Sequence, residues 1–200
     1  MSQASDEMEL IQMRKRIIEA ASDLYEKKGR DTSVEEIARA AGISVPVTYQ
    51  FVKKAADIMR LIMEDWQRDF HRSVQSILES DLSPERKLAQ VVASYYRTID
   101  QQRSKVMMVY RASRQLDREG RRHIMGLEME AVRLFQGILD QGVAAGGFRV
   151  EDTLLAAYDI VMLGHMWSLK SWHFKQRAMD LEDFIDAQLE LILAMVGVRG

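Results

Sequence analysis

An all-α fold is predicted for this 200-residue chain from three observations. Apolar residues recur at spacings of three and four along most of its length, only two prolines interrupt it, and no segment alternates apolar with polar residues for long enough to form a strand. The 13 methionines, with much Ala, Leu, Glu, Arg and Gln, add residues that favour helices. About nine helices are expected, arranged as a head of three, a long fourth helix and a C-terminal helical body.

Between Ile11 and Lys28, the side chains of Ile17, Ile18, Ala21, Leu24 and Tyr25 fall on one face, which predicts a first helix ending near Gly29. Ser33 with Glu36 three residues later forms a capping box, so a short second helix begins there, with Val34, Ile37, Ala38 and Ala41 inward, and stops at Gly42. Ser44 is placed to cap a third short helix, and Pro46 is tolerated in its first turn because the amide it lacks has no intrahelical partner there. The fourth helix is expected from about Ala55 to Glu79, carrying Ile58, Leu61, Ile62, Trp66, Phe70, Val74, Ile77 and Leu78. Ser83-Pro84-Glu85 starts the next, over Pro84 to Gln102. Further helices are expected over Lys105 to Leu116, Arg118 to Gln141, Glu151 to Lys170 and Leu181 to Val196, with Gly142, Gly146 and Gly147 as one break and Asp180 with Asp183 as the last start.

Composition excludes several functions. With 28 Lys+Arg against 30 Asp+Glu and a net charge of −2, diffuse polyanion binding is ruled out, and 47% hydrophobic content excludes disorder. The absence of cysteine removes thiol catalysis, disulfides and thiolate metal sites. The acidic start lacks a secretory leader, and Leu154 to Leu169 is interrupted by Asp159, Gly164, His165 and Ser168, so a cytoplasmic protein without a membrane span is expected. His71, His123, His165 and His173 have no metal-site spacing, and no nucleophile or phosphate-loop motif is present. Neither an enzyme nor a cofactor is expected.

The two short helices joined through Ala41-Gly42-Ile43-Ser44 have helix-turn-helix spacing, with the second presented to a major groove. Val45, Pro46, Val47 and Gln50 occupy the groove-facing turn. Gln50 can pair with an adenine edge, and Val45 or Val47 can meet a thymine methyl. Ser33 and Ser44, at helix N-termini, either bind phosphate or serve as caps alone. Lys53 and Lys54 are candidates for phosphate contact, with solvated cations as the alternative.

Arg14, Ile17, Ile18, Ala20, Ala21, Leu24, Tyr25 and Gly29, followed by Ser33, Val34, Ile37, Ala38, Ala41, Gly42, Ile43, Ser44 and Tyr49, resemble the N-terminal signature of the tetracycline-repressor family of bacterial transcription regulators. The resemblance implies a DNA-binding domain over 8–54, a ligand-binding and dimerisation domain over 55–200, and a homodimer joined by the last two helices. It also implies that Tyr49 contacts the DNA backbone; packing against the first helix is the alternative. The chain departs from the pattern at Arg30 and Val52, where the family usually has aromatics, and at Ala55, where it usually has a phosphate-binding lysine. Lys53 or Lys54 is expected to replace that lysine.

In the body, 12 of the 16 residues from Leu154 to Leu169 are apolar, so this helix needs two partners: its own bundle and a second subunit. Leu155, Tyr158 and Met162, with Phe184, Ile185, Leu189 and Ile192 of the last helix, are the candidate dimer interface. Arg111, Arg114, Arg118 and Arg122 would align along one side of an unbroken helix. With Tyr110, His165 and Trp167, the residues Arg111, Arg114 and Arg118 are candidates for holding an effector of unknown identity. An amphipathic anion such as an acyl thioester of coenzyme A suits an apolar site with a cationic mouth; a solvated Arg face beside an aromatic core is the alternative. The expected function is a ligand-responsive repressor released from a near-palindromic double-stranded operator. The alternative is an all-helical small-molecule-binding protein that no longer reads DNA.

Overall fold

The computed structural model describes residues 3–28, 32–112 and 116–198 and is all-helical there. Ten helices occur among the described residues: α1 Gln3–Lys28, α2 Val34–Ala41, α3 Val45–Phe51, α4 Ala55–Leu78, α5 Pro84–Gln101, α6 Arg103–Ala112, α7 Arg118–Ala144, α8 Thr153–Leu169, α9 Ser171–Gln176 and α10 Leu181–Met195. The short α9 was not anticipated. Nor does α7 break at Gly142, whose missing side chain instead leaves room for the Phe148 ring: a Cβ there would lie 1.9 Å from a ring carbon. The helix ends just beyond, where Gly146 takes a φ of 74°.

The chain divides into two compact units. The first comprises 1–65 and 107–125, the second 66–106 and 126–200. In the first, Ile17, Ile18 and Ala21 of α1, Ile37 and Ala38 of α2, Val52, and Ile58, Met59 and Ile62 of α4 are buried. Glu64 of α4 binds α1 and α7 in the same unit: it accepts from Arg14 at 2.6 Å and Arg60 at 3.1 Å, and His123 Nε2 lies 3.9 Å away. Burial alone would raise the Glu64 carboxyl, but the Arg14 and Arg60 guanidinium groups outweigh it and hold the group below its ordinary range.

In the second unit, Trp66, Phe70, Tyr95 and Phe135 pack as an aromatic cluster, with Tyr95 edge-on to the other three at centroid separations of 5.3, 5.0 and 5.4 Å. Helix α8 approaches α5 closely because Gly164 has no side chain; a Cβ there would meet the Tyr96 ring at 2.5 Å and Tyr95 at 3.2 Å. The Tyr96 hydroxyl donates to the Ile160 carbonyl at 3.0 Å, satisfying the one polar atom that this burial would otherwise strand. The ring of Phe174 holds α9 to the same core, 5.1 Å from Trp167 and 5.0 Å from Phe184.

Candidate DNA interface and effector site

The α2–α3 unit is built as its local sequence dictates. Ser33 Oγ accepts from the Glu36 amide at 3.2 Å while the Ser33 amide donates to Glu36 Oε2 at 3.1 Å, completing the capping box. Gly42 ends α2 at a φ of 64°, left-handed backbone that glycine adopts without penalty, and the Ile43 amide donates to the Ala38 carbonyl at 3.0 Å. Across the turn, Thr48 is fully buried, its hydroxyl donating to the Ser44 carbonyl at 3.1 Å, and Val52 is buried at the C-terminal end of α3. Val52 therefore fills the position where an aromatic was expected. The side chain of Ala55 and all of Arg30 lie outside the described residues.

This packing leaves one face of α3 open. Val45 and Tyr49 are 37% and 40% exposed, Pro46 and Gln50 are exposed, and Val47 is half-buried. Ser44 corrects the sequence expectation: it occupies the N-cap position of α3, but its hydroxyl makes no capping bond, and Pro46 in the first turn has no amide to offer it. An exposed hydroxyl is left at the start of the open face.

Three of the expected phosphate-contacting groups are already engaged. Ser33 is in its capping box. The Tyr49 hydroxyl donates to Glu35 Oε1 at 2.8 Å, which raises the phenol; the Glu35 carboxyl is lowered, first by a backbone hydrogen bond and then by Tyr49. Lys54 Nζ donates to Asp117 Oδ2 at 3.0 Å, which raises Lys54; Asp117 is lowered, first by the Gly120 amide that donates to its other oxygen at 2.7 Å and then by Lys54. The Lys53 ammonium is exposed, and both lysine amides donate to Asp57 Oδ2, at 2.9 and 3.0 Å. Sequence reasoning missed Glu35, Thr48 and the pairing of Asp117 with Lys54. Thr48 had a local signal, a hydroxyl four residues after Ser44 and within reach of its carbonyl, whereas the carboxylate partners of Tyr49 and Lys54 had none.

The effector candidates are not gathered into one unit. Tyr110, Arg111 and Arg118 belong to the first, His165 and Trp167 to the second, and Arg114 lies outside the described residues. The condition for an aligned arginine stripe, an unbroken helix, is not met: α6 stops at Ala112 and α7 starts at Arg118, the start expected from the sequence. Asp117 provides the break, since its carbonyl accepts from the Arg121 amide at 3.0 Å and its carboxylate from Gly120, both typical of a helix start. Arg111, Arg118 and Arg122 are exposed.

In the second unit His165 is buried, and its Nε2 shares a 3.0 Å hydrogen bond with the Tyr95 hydroxyl. Burial pushes the imidazole down to about 4, so it is neutral at ordinary pH. Trp167 is also buried, its indole N–H donating to Asp100 at 2.7 Å, while Arg103 donates to the Trp167 carbonyl at 3.1 Å and lies over its ring. The Trp66 indole nitrogen and the Ser168 hydroxyl are buried without a hydrogen-bond partner.

The dimer candidates divide by exposure. Leu155 is 59% exposed and Tyr158 38%, with Met162 and Leu189 half-buried. Phe184, Ile185 and Ile192 instead belong to the chain's own core, a correction to their expected place on an interface. They share the inward face of α10, and Leu191 and Met195 occupy its exposed side. Beside Tyr158, burial raises the Glu128 carboxyl, and the hydrogen bond from the tyrosine acts against that shift.

Among the described residues, no group of three or more metal-ligating side chains comes together, and no helix is long and apolar enough to cross a membrane. Residues 17–56 match the family profile described as bacterial regulatory proteins, tetR family, and residues 81–196 match that of the tetracyclin repressor-like C-terminal domain. The chain is 28% identical over 181 residues to the HTH-type transcriptional regulator HbdR of Aromatoleum sp. (strain CIB), covering 90% of this chain and 79% of that protein. Its fold is similar to that of a tetR-family regulatory protein from Rhodococcus RHA1, with a TM-score of 0.78, 24% identity, and 94% and 98% of the two chains covered. The regulator FadR from Bacillus subtilis, solved in complex with stearoyl-CoA, superposes with a TM-score of 0.76 at 23% identity, covering 91% and 98%.

Proposed function

As the chain belongs to the tetracycline-repressor family of ligand-responsive, DNA-binding bacterial regulators, we propose that it is a homodimeric repressor whose α3 reads a near-palindromic operator and is released by an acyl thioester of coenzyme A. The observation that carries the DNA reading is the division of α3 into a buried side, Thr48 with Val52, and an open side bearing Val45, Pro46, Tyr49 and Gln50. A helix fixed from behind and bare in front suits insertion into a major groove. In this reading 8–54 carry the operator contacts and 55–200 the effector and dimer functions. Leu155 and Tyr158 of α8, with Leu191 and Met195 of α10, supply apolar surface for a second subunit.

Two α3 helices related by a dimer axis would enter successive major grooves about 34–36 Å apart. An effector that favours a different head separation, with a coupling of about 1–3 kcal/mol, would change operator affinity about 5- to 150-fold. The acyl-thioester reading is supported by the FadR complex with stearoyl-CoA and by the apolar, aromatic second unit around a neutral His165. A second reading is a small-molecule-binding protein that no longer reads DNA. It is favoured by the engagement of Tyr49 with Glu35 and of Lys54 with Asp117.

Fluorescence anisotropy with duplex from the promoter region beside the protein's own gene separates the two. The repressor reading expects preference over random duplex at moderate salt, lost on adding an acyl thioester. Equal binding of both duplexes rejects it in favour of the second reading. Thermal stabilisation by uncharged aromatics alone, with no response to acyl thioesters, rejects the proposed effector.

A further inference from the structure

Between Asp159 and Asp180 the chain contains no acidic residue, yet it carries Lys170, Lys175 and Arg177 together with His173. All four are exposed, and they cluster on and around α9 with Trp172, whose side chain is 60% exposed. An indole this open is unusual in a helix whose neighbouring ring, Phe174, is buried in an aromatic core. Trp172 and Lys175 of α9 stand three residues apart and so share a face, and Arg177 caps the end of the helix, four positions after His173. The His173 ring stands edge-on to Trp172 at 5.7 Å. The acids that follow are partly occupied: Asp180 accepts from the Asp183 amide at 2.9 Å, and Glu182 accepts from Arg97 at 2.6 Å.

An open indole with Lys175 on its own helical face, and with Lys170 and Arg177 just before and just after the helix, is a platform for a flat anion. It offers a face for stacking and ammonium and guanidinium groups for phosphate oxygens. We infer that Trp172, with Lys170, Lys175 and Arg177, binds the phosphorylated adenosine end of a coenzyme A thioester. This rests on the acyl-thioester reading above and gives that ligand's polar half a site of its own. Five residues before Trp172 on the chain, Trp167 is buried in the aromatic core, so this short stretch runs from an apolar interior suited to an acyl chain to a cationic exterior suited to the nucleotide. The arrangement also supplies, within the second unit, the cationic mouth that the arginine stripe does not form.

The test is isothermal titration of the full chain with dodecanoyl-CoA, dodecanoyl-pantetheine and coenzyme A, comparing wild type with Trp172→Ala and with the double variant Lys175→Gln/Arg177→Gln. Melting temperatures control for folding, and exposure of all three side chains predicts little change. Trp172→Ala is expected to bind dodecanoyl-CoA about 5- to 150-fold more weakly, the range for loss of one stacked base, and the double variant is expected to bind it more weakly than wild type. The double variant should also lose part of the salt dependence, and dodecanoyl-pantetheine should bind all three proteins alike. Wild-type affinity for dodecanoyl-CoA in both variants would overturn the inference. If the wild type takes neither dodecanoyl ligand but binds coenzyme A in a manner abolished by Trp172→Ala, the effector reading fails and the nucleotide platform stands. If it binds none of the three, both fail.

Discussion

Replacing Lys54 by alanine tests whether this lysine substitutes for the family's missing phosphate contact. Its ammonium lies 3.0 Å from Asp117 Oδ2, with about half of each side chain exposed, so a phosphate oxygen competes for it with a solvated carboxylate and meets no buried barrier. Each phosphate neutralised on duplex DNA contributes about 0.9 to the slope of log affinity against log salt. Two Lys54 side chains in a dimer therefore account for about 1.8 of that slope. Between 50 and 200 mM salt, a fourfold rise, the lysines' share is four to the power 1.8, or about 12-fold in affinity. Lys54→Ala should thus show a salt-induced loss about 12-fold smaller than wild type in anisotropy titrations of the promoter duplex. Asp117→Asn, which keeps an oxygen to accept from the Gly120 amide, should bind more tightly than wild type, because Lys54 no longer has an anionic competitor. In the Lys54→Ala background the Asp117→Asn substitution should have little effect. An unchanged salt slope for Lys54→Ala would refute the assignment and leave Lys53 as the candidate.

Three further outcomes are expected. Burial lowers His165 to about 4 from an ordinary 6.5, so between those values the unfolded chain takes up a proton that the folded chain refuses. Stability is complete above pH about 6.5 and falls as the pH drops toward about 4, by at most about 3 kcal/mol; urea titrations across this window should show His165→Gln losing that part of the pH dependence. Gly164→Ala drives a methyl group to 2.5 Å from the Tyr96 ring, so overpacking of about 1–3 kcal/mol should exceed the gain in helix propensity of about 1 kcal/mol and lower the melting temperature in calorimetry; an unchanged or higher value contradicts the close α5–α8 approach. Leu155→Glu places a charge on the exposed apolar face of α8, and sedimentation velocity should show the dimer shifted toward monomer with normal helicity.

Features built from nearby residues were legible in the sequence. The capping box at Ser33 and Glu36, the turn at Gly42 and the start at Ser83-Pro84 each place their partners within about one helical turn, and the structure forms all three. Where two local patterns competed, the arginine spacing from Arg111 and the helix start expected at Arg118, the structure follows the start: Asp117 opens a new helix and the stripe is broken. Periodicity identified α10 as apolar without indicating which of its apolar residues faced the chain's own core. Phe184, Ile185 and Ile192 turn inward because α5 and α8 pack against that side. The pairs that hold the phosphate-side groups, Tyr49 with Glu35 and Lys54 with Asp117, join residues 14 and 63 positions apart, and no local pattern encodes them.

The first unit closes only after a detour, because 107–125 complete what 1–65 begin. During synthesis, the first 65 residues leave the ribosome without their partners for Glu64 and Lys54 from the later segment, His123 and Asp117. The intervening 66–106 form a loop that must close before the head acquires those contacts, at an entropic cost that grows only slowly with its length. A truncated head would therefore lack part of its own lining as well as a second subunit. Engineers transplanting this α3 onto another body would need to carry 107–125 with it or supply substitutes for Asp117 and His123.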